Sequence, residues 1–198
     1  MKHIPSNVLL DQLQTETEAV LEHIVRNWQL ISPDKLSRTP SAGAWSAQAC
    51  LSHLNSYGDF YLPAIQRAIR KSGNGPSTGF HPGWLGNYFT QMMRTDAKGS
   101  PVTKMKAIKK HFPSDAESPD AVIATFIDQQ EKLHALLGSA RSISLDTRVP
   151  VSIAPLIRLK LGDVFRFLIA HNYRHLHQAG RALLAAGISL PALPKNTV

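Results

Sequence analysis

Apolar residues recur at three- and four-residue intervals in four long stretches of the chain. In the first, Ile4, Val8, Leu9, Leu13, Val20, Leu21, Ile24, Val25 and Trp28 predict a helix over about residues 6–30. Ser6 or Asn7 is placed to cap it and Ser32-Pro33 to end it. The second stretch starts near Ser46, with Trp45 as an apolar residue ahead of the cap, and runs to Lys71. Leu51, Leu54, Tyr57, Phe60, Tyr61, Ile65 and Ile69 form its stripe, and Pro63 inside it is expected to kink the helix or end its first part. The third opens at Ser118-Pro119-Asp120 and stops at Gly138. The fourth opens at Gly162-Asp163, carries Phe165, Leu168, Ile169, Tyr173, Leu176, Leu183 and Leu184, and stops at Gly187.

The stretches between them read differently. DKLSRTPSAGAW is a polar turn. Residues 72–117 hold many glycines and prolines around one short helix, Trp84–Met93, and are expected to cover one end of the helices. SISLDTRVPVSIAPLIRLK has room for short extended pieces, but Pro150 and Pro155 argue against a central strand. No internal repeat is visible. Four long helices without a convincing sheet predict an all-α fold, an antiparallel helix bundle, in a single domain over 1–198.

The 43% hydrophobic and 18% charged composition is that of a globular chain. No apolar run approaches about 18 residues, so no membrane span is expected. Asp11, Glu16 and Glu18 interrupt the first apolar stretch and argue against a signal peptide. With a lone Cys50, the expected location is cytoplasmic. The net charge is +8, from 22 Lys+Arg against 14 Asp+Glu. Its densest run is Lys104, Lys106, Lys109 and Lys110 beside His111, and the rest is dispersed. That distribution reads as a basic surface rather than a specific nucleic-acid site.

Nine histidines carry the most informative chemistry. His171 and His175 stand four apart within IAHNYRHLHQ, about 40° apart around a helix axis. Two such imidazoles reach one ion, because their Cβ atoms lie about 5–6 Å apart. His53, in CLSHLNSYG, sits beside Leu51 and Leu54, near the apolar face of another helix. Three histidines would leave positions open on a metal, as catalytic zinc centres do, and nickel, cobalt or iron also accept imidazole. The plainer alternative is two surface or hydrogen-bonded histidines. His177 points to another side. His3, His23, His81, His111 and His134 have no partner at ligand spacing and read as structural or surface residues. Asn172 stands where a zinc peptidase HExxH motif needs glutamate. No nucleophile elbow, phosphate loop or dinucleotide fingerprint is present.

Taken in order, Trp45-Ser46, His53-Leu54, a long interruption, then His171-Asn172-Tyr173-Arg174-His175 and Gln178 resemble the DinB-like superfamily. The resemblance covers about residues 6–186. It implies an up-down-down-up four-helix bundle, often a homodimer. It also implies a divalent metal, zinc or nickel, held by one histidine of the second long helix and two of the fourth, which map onto His53, His171 and His175. The implied activity is metal-dependent hydrolysis or thiol S-transfer on a small-molecule substrate, with a low-molecular-weight thiol as one reactant. Gln178 matches a motif position without an assigned role, and the 72–117 segment is longer than in shorter members. Readings from other classes are a non-catalytic stress-related binding protein with a structural metal, or a basic nucleic-acid-binding protein.

Other residues share these faces. Cys50 and Tyr57 lie three before and four after His53; Ser46 and Ser56 are nearby. Tyr57 or Tyr61 is either a donor to an oxyanion or an amphipathic core residue. Cys50 is a soft ligand, a nucleophile or a small buried hydrophobe. Arg174 is placed to meet an anionic substrate from the rim or to stay solvated. Glu18 and Glu22 share a face that could orient an imidazole. Glu16 and Asp59 complete the nearby acids, and none is nominated as a general base.

Overall fold

The computed structural model describes residues 3–96, 98–114 and 116–193, the side chain of Pro155 excepted; the end of the proline-containing tail, 194–198, lies outside the described residues. Six α-helices run through them: α1 (Ser6–Asn27), α2 (Pro33–Ser37), α3 (Ala47–Lys71), α4 (Trp84–Met93), α5 (Pro119–Ser139) and α6 (Leu161–Ala185). Two short antiparallel ribbons accompany them. β1 (Ile4–Pro5) pairs with β2 (Gly79–Phe80), and β3 (Arg148–Val151) pairs with β4 (Ala154–Lys160).

Local chemistry sets most of these boundaries. The Ser46 hydroxyl accepts from the Ala49 amide at 3.1 Å and starts α3. Ser118 does the same for Ala121 at 3.3 Å, with Pro119 at the first helical position of α5. Asp163 lies in the first turn of α6, where its charge suits the helix dipole. α6 closes before Gly187, whose φ of 84° is the left-handed conformation glycine adopts without strain.

Three expectations need correction. α1 ends at Asn27 rather than near Leu30, and its cap residue is Pro5, with no side-chain capping bond from Ser6 or Asn7. Pro33 begins a helix instead of ending one: it sits in the first turn of α2, inside the stretch read as a polar turn. α3 runs unbroken through Pro63 to Lys71; packing along the helix outweighs one lost backbone bond. The short extended pieces expected around Pro150 are present, and Pro150 itself lies within β3. A two-stranded ribbon has no central strand, so a residue without an amide hydrogen is accommodated there.

α3 packs against both α5 and α6, and α1 packs against α5 and less extensively against α6. Leu13, Ile24, Leu51, Ile65, Phe126, Leu137 and Phe165 are fully buried between them. Each such side chain contributes about 1.5–3 kcal/mol through burial. α4 lies on α6. As a result every residue of α6 from Leu161 to Leu176 is buried, polar ones included. Its face away from the other long helices grips the inserted segment. Asp163 Oδ2 accepts from the Gly83 amide at 2.8 Å, Arg166 donates to Asn87 Oδ1 at 3.3 Å, and Arg174 donates to the carbonyls of Met92 and Thr103 at 3.0 and 2.8 Å. Arg181 donates to the Gly99 carbonyl at 2.8 Å. No helix is long and apolar enough to cross a membrane among the described residues.

Candidate metal centre

His53 comes from the middle of α3 and His171 and His175 from successive turns of α6, and the structure brings the three together. One ring nitrogen from each lies within 4.8 Å of the other two, and all three residues are buried. The Nε2 atoms of His53 and His171 are 3.2 Å apart. Nitrogens bound at about 2.0–2.1 Å to one tetrahedral ion stand about 3.3–3.4 Å apart, so this pair already has ligand spacing. Among the described residues this is the one group of three or more potential ligands so disposed.

The rings are oriented from behind. The His111 carbonyl lies 2.5 Å from His53 Nδ1. A carbonyl only accepts, so the proton sits on Nδ1 and Nε2 keeps its lone pair for the centre. Gln178 Oε1 lies 3.0 Å from His175 Nδ1 and fixes that tautomer in the same way. This gives Gln178 the role its sequence position left open. His171 Nδ1 is buried without a hydrogen-bond partner among the described residues. Its ring stacks on Phe167, with centroids 5.5 Å apart and planes at 12°.

Burial sets the protonation states. Desolvation pulls His53 down to about 4 and His175 down to about 3, and holds His171 well below 6.5. The neighbouring imidazoles add to the effect at His171 and His175, since two adjacent imidazolium charges repel. All three are therefore neutral at pH 7, the form that donates a lone pair to a metal. The donor set, its spacing and its two oriented tautomers fit a divalent ion.

The centre opens onto a cavity of about 490 Å³, a size that suits a small molecule. Trp45 forms part of its wall, with its ring centroid 4.9 Å from His53 and 5.8 Å from His175. Tyr57 also lines it, between His111 at 4.1 Å and His171 at 4.4 Å. Burial pushes the Tyr57 phenol up to about 12, so it is a neutral donor at pH 7. Lys104, Met105, Lys106 and Ile108 bring the inserted segment into the wall. That segment thus forms one wall of the cavity beside the centre.

Several candidates fall elsewhere. Tyr61 accepts from the Ser152 amide at 3.2 Å and holds the β3–β4 turn. Cys50 is fully buried, lines no part of the cavity, and has its thiol pushed up to about 12 by desolvation. Glu18 and Glu22 orient none of the three imidazoles: Glu18 contacts His134 at 2.7 Å and Glu22 pairs with Arg26 at 2.7 Å. Asp59 accepts from Gln129. Asn172 donates to Gln130 at 2.9 Å, away from the three imidazoles.

His111 was the residue sequence reasoning missed. It reads there as structural or surface, yet it is buried, its carbonyl orients His53, and its Nδ1 meets Ser56 Oγ at 2.8 Å. It lies 58 residues from His53, in a stretch without helical register, so no spacing signal points to it.

The family model described as the DinB superfamily matches residues 9–179, which include all three histidines and the inserted segment. No curated protein and no solved structure matches the chain.

Proposed function

The chain belongs to the DinB superfamily, and from that premise we propose that it is a metal-dependent enzyme, a hydrolase or thiol S-transferase, with zinc or nickel on His53, His171 and His175. The observation that carries this reading is a trio of buried neutral imidazoles that opens onto a cavity instead of being closed over. A structural metal site has no need of such an opening. The packing of α1 and α3 against both α5 and α6 supports the up-down-down-up four-helix bundle. The same reading makes the protein a cytoplasmic homodimer acting on a small molecule.

His53, His171 and His175 would hold a divalent ion without neutralising its charge, and such an ion would acidify a bound water or thiol toward neutral pH. The chain's own groups do the rest. His111 and Gln178 hold two ligand rings in the metal-binding tautomer. Tyr57 presents a neutral phenol to the cavity, suited to stabilising developing negative charge on a substrate oxygen. Trp45 and the inserted segment shape the cavity beside the centre. No Asp or Glu lines the cavity among the described residues. Activation of a nucleophile would then fall to a bound metal ion, with no carboxylate base beside it in the cavity.

The test is elemental mass spectrometry on tag-free protein, followed by turnover of hydrolysable esters and amides, and of electrophiles with and without a small thiol. About one zinc or nickel ion per chain together with turnover that chelation abolishes is expected. A chain that takes up neither ion after incubation overturns the reading. Acceleration only by thiol assigns the transferase; turnover without thiol assigns the hydrolase.

A further inference from the structure

The cavity beside the imidazoles is cationic on its other linings. Lys104 and Lys106 from the inserted segment and Arg174 and Arg181 from α6 all contribute to it. The Arg174 residue is only 8% exposed. Its guanidinium donates to two backbone carbonyls and that of Arg181 to one. Carbonyls satisfy N–H groups but neutralise no charge. Neither arginine has a carboxylate ion pair among the described residues. Some cations elsewhere do have such partners: Arg166 faces Asp163, Lys160 Asp146, and Arg141 Asp11. Cationic charge is thus gathered at a concave site that has no carboxylate among its lining residues. Such a site raises the local concentration of anions. Trp45, Met93 and Met105 give the same cavity an apolar surface.

We infer that the cavity takes an organic anion, a small molecule with an apolar or aromatic body and a carboxylate or phosphate group. The anionic group is held by Arg174, Arg181, Lys104 and Lys106, and the reacting end faces the three histidines. The orientation of the reacting end rests on the metal-enzyme reading. The anion subsite does not, because its four cations ligate no metal.

Isothermal titration calorimetry with benzoate, phenyl phosphate and neutral benzyl alcohol tests this, on zinc-loaded and on chelator-treated protein of measured metal content. Lys104→Gln/Lys106→Gln is the main variant, since both lysines are exposed and their loss leaves the Arg174 anchor in place; Arg181→Gln is the second. At least one anion is expected to bind roughly tenfold more tightly than benzyl alcohol, more weakly as salt rises, and about fivefold more weakly to the double-lysine variant. The better anion identifies carboxylate or phosphate as the group. Equal binding of all three probes, no binding, or affinity unchanged in both variants overturns the inference. Anion binding that needs zinc and ignores the variants places the anion on the metal, which sinks the subsite and leaves the metal reading standing. Variant-sensitive anion binding by protein that never takes up zinc does the reverse.

Discussion

The Nδ1–H of His53 donates to the backbone carbonyl of His111, 2.5 Å away, and so joins the centre to the inserted segment. A helix residue and a loop residue are coupled by a bond that a metal on the opposite nitrogen would polarise and strengthen. Order in the segment and ligand geometry on α3 are one property.

The centre's composition makes the first prediction. His53→Ala and His175→Ala should each lower zinc from about one ion per chain to below about a tenth. Far-ultraviolet circular dichroism should stay helical, because the core of Leu51, Ile65 and Phe165 is untouched. Full occupancy in either variant would show that the ion sits elsewhere.

Gln178 acts on His175 alone among the ligands, through a single 3.0 Å contact. Gln178→Ala should reduce zinc affinity about 10–100-fold in competition with a chromogenic chelator. Gln178→Glu, which keeps an acceptor there, should restore it. Equal affinity in all three proteins would make the contact incidental.

The lowered histidine pKa values fix the sign of an acid response. A group whose pKa is depressed on folding contributes stability that is full above its unfolded value of about 6.5 and is lost as pH falls through the folded value. With His53 at about 4 and His175 at about 3, metal-free protein should lose stability progressively from about pH 6.5 down to that range. Urea midpoints across this window report it, and His53→Gln/His175→Gln should flatten the curve. Zinc should raise the midpoint at neutral pH, with the gain vanishing in acid as protons displace it. A double variant as acid-sensitive as the wild type would move the cause to other groups.

Gly86 tests the grip of α6 on α4. A Cβ there would meet the Asp163 carboxylate, which also holds the Gly83 amide. Gly86→Ala should cost about 1–3 kcal/mol by overpacking and speed proteolysis within the inserted segment. A thermal midpoint equal to the wild type would mean that the helix pair yields without cost.

Much of the molecule was legible along the chain because helical periodicity is a local signal. The four long helices and the short one over Trp84–Met93 follow from apolar spacing, serine caps and stop glycines, and the structure has them within a few residues. The HxxxH pair was legible for the same reason, since one helix turn fixes its separation. Prolines misled where context outweighed propensity. Pro63 lies inside a helix held by packing, and Pro33 starts a helix that polar composition disguises. Arg174 reads as a rim or solvated residue because its partners Met92 and Thr103 lie 82 and 71 positions away.

By itself the sequence determined the long helices and which side chains could ligate a metal, since each is written in short-range spacing and residue chemistry, while the order of its motifs carried the family resemblance. Only the tertiary structure decided that His53 meets His171 across 118 positions, that His111 and Gln178 orient the rings, and that cations without carboxylate partners gather at the same cavity. Those relations depend on which helix faces lie against each other and on where a long glycine- and proline-rich segment comes to rest. Both are settled by collective burial over the whole chain, to which no local pattern corresponds.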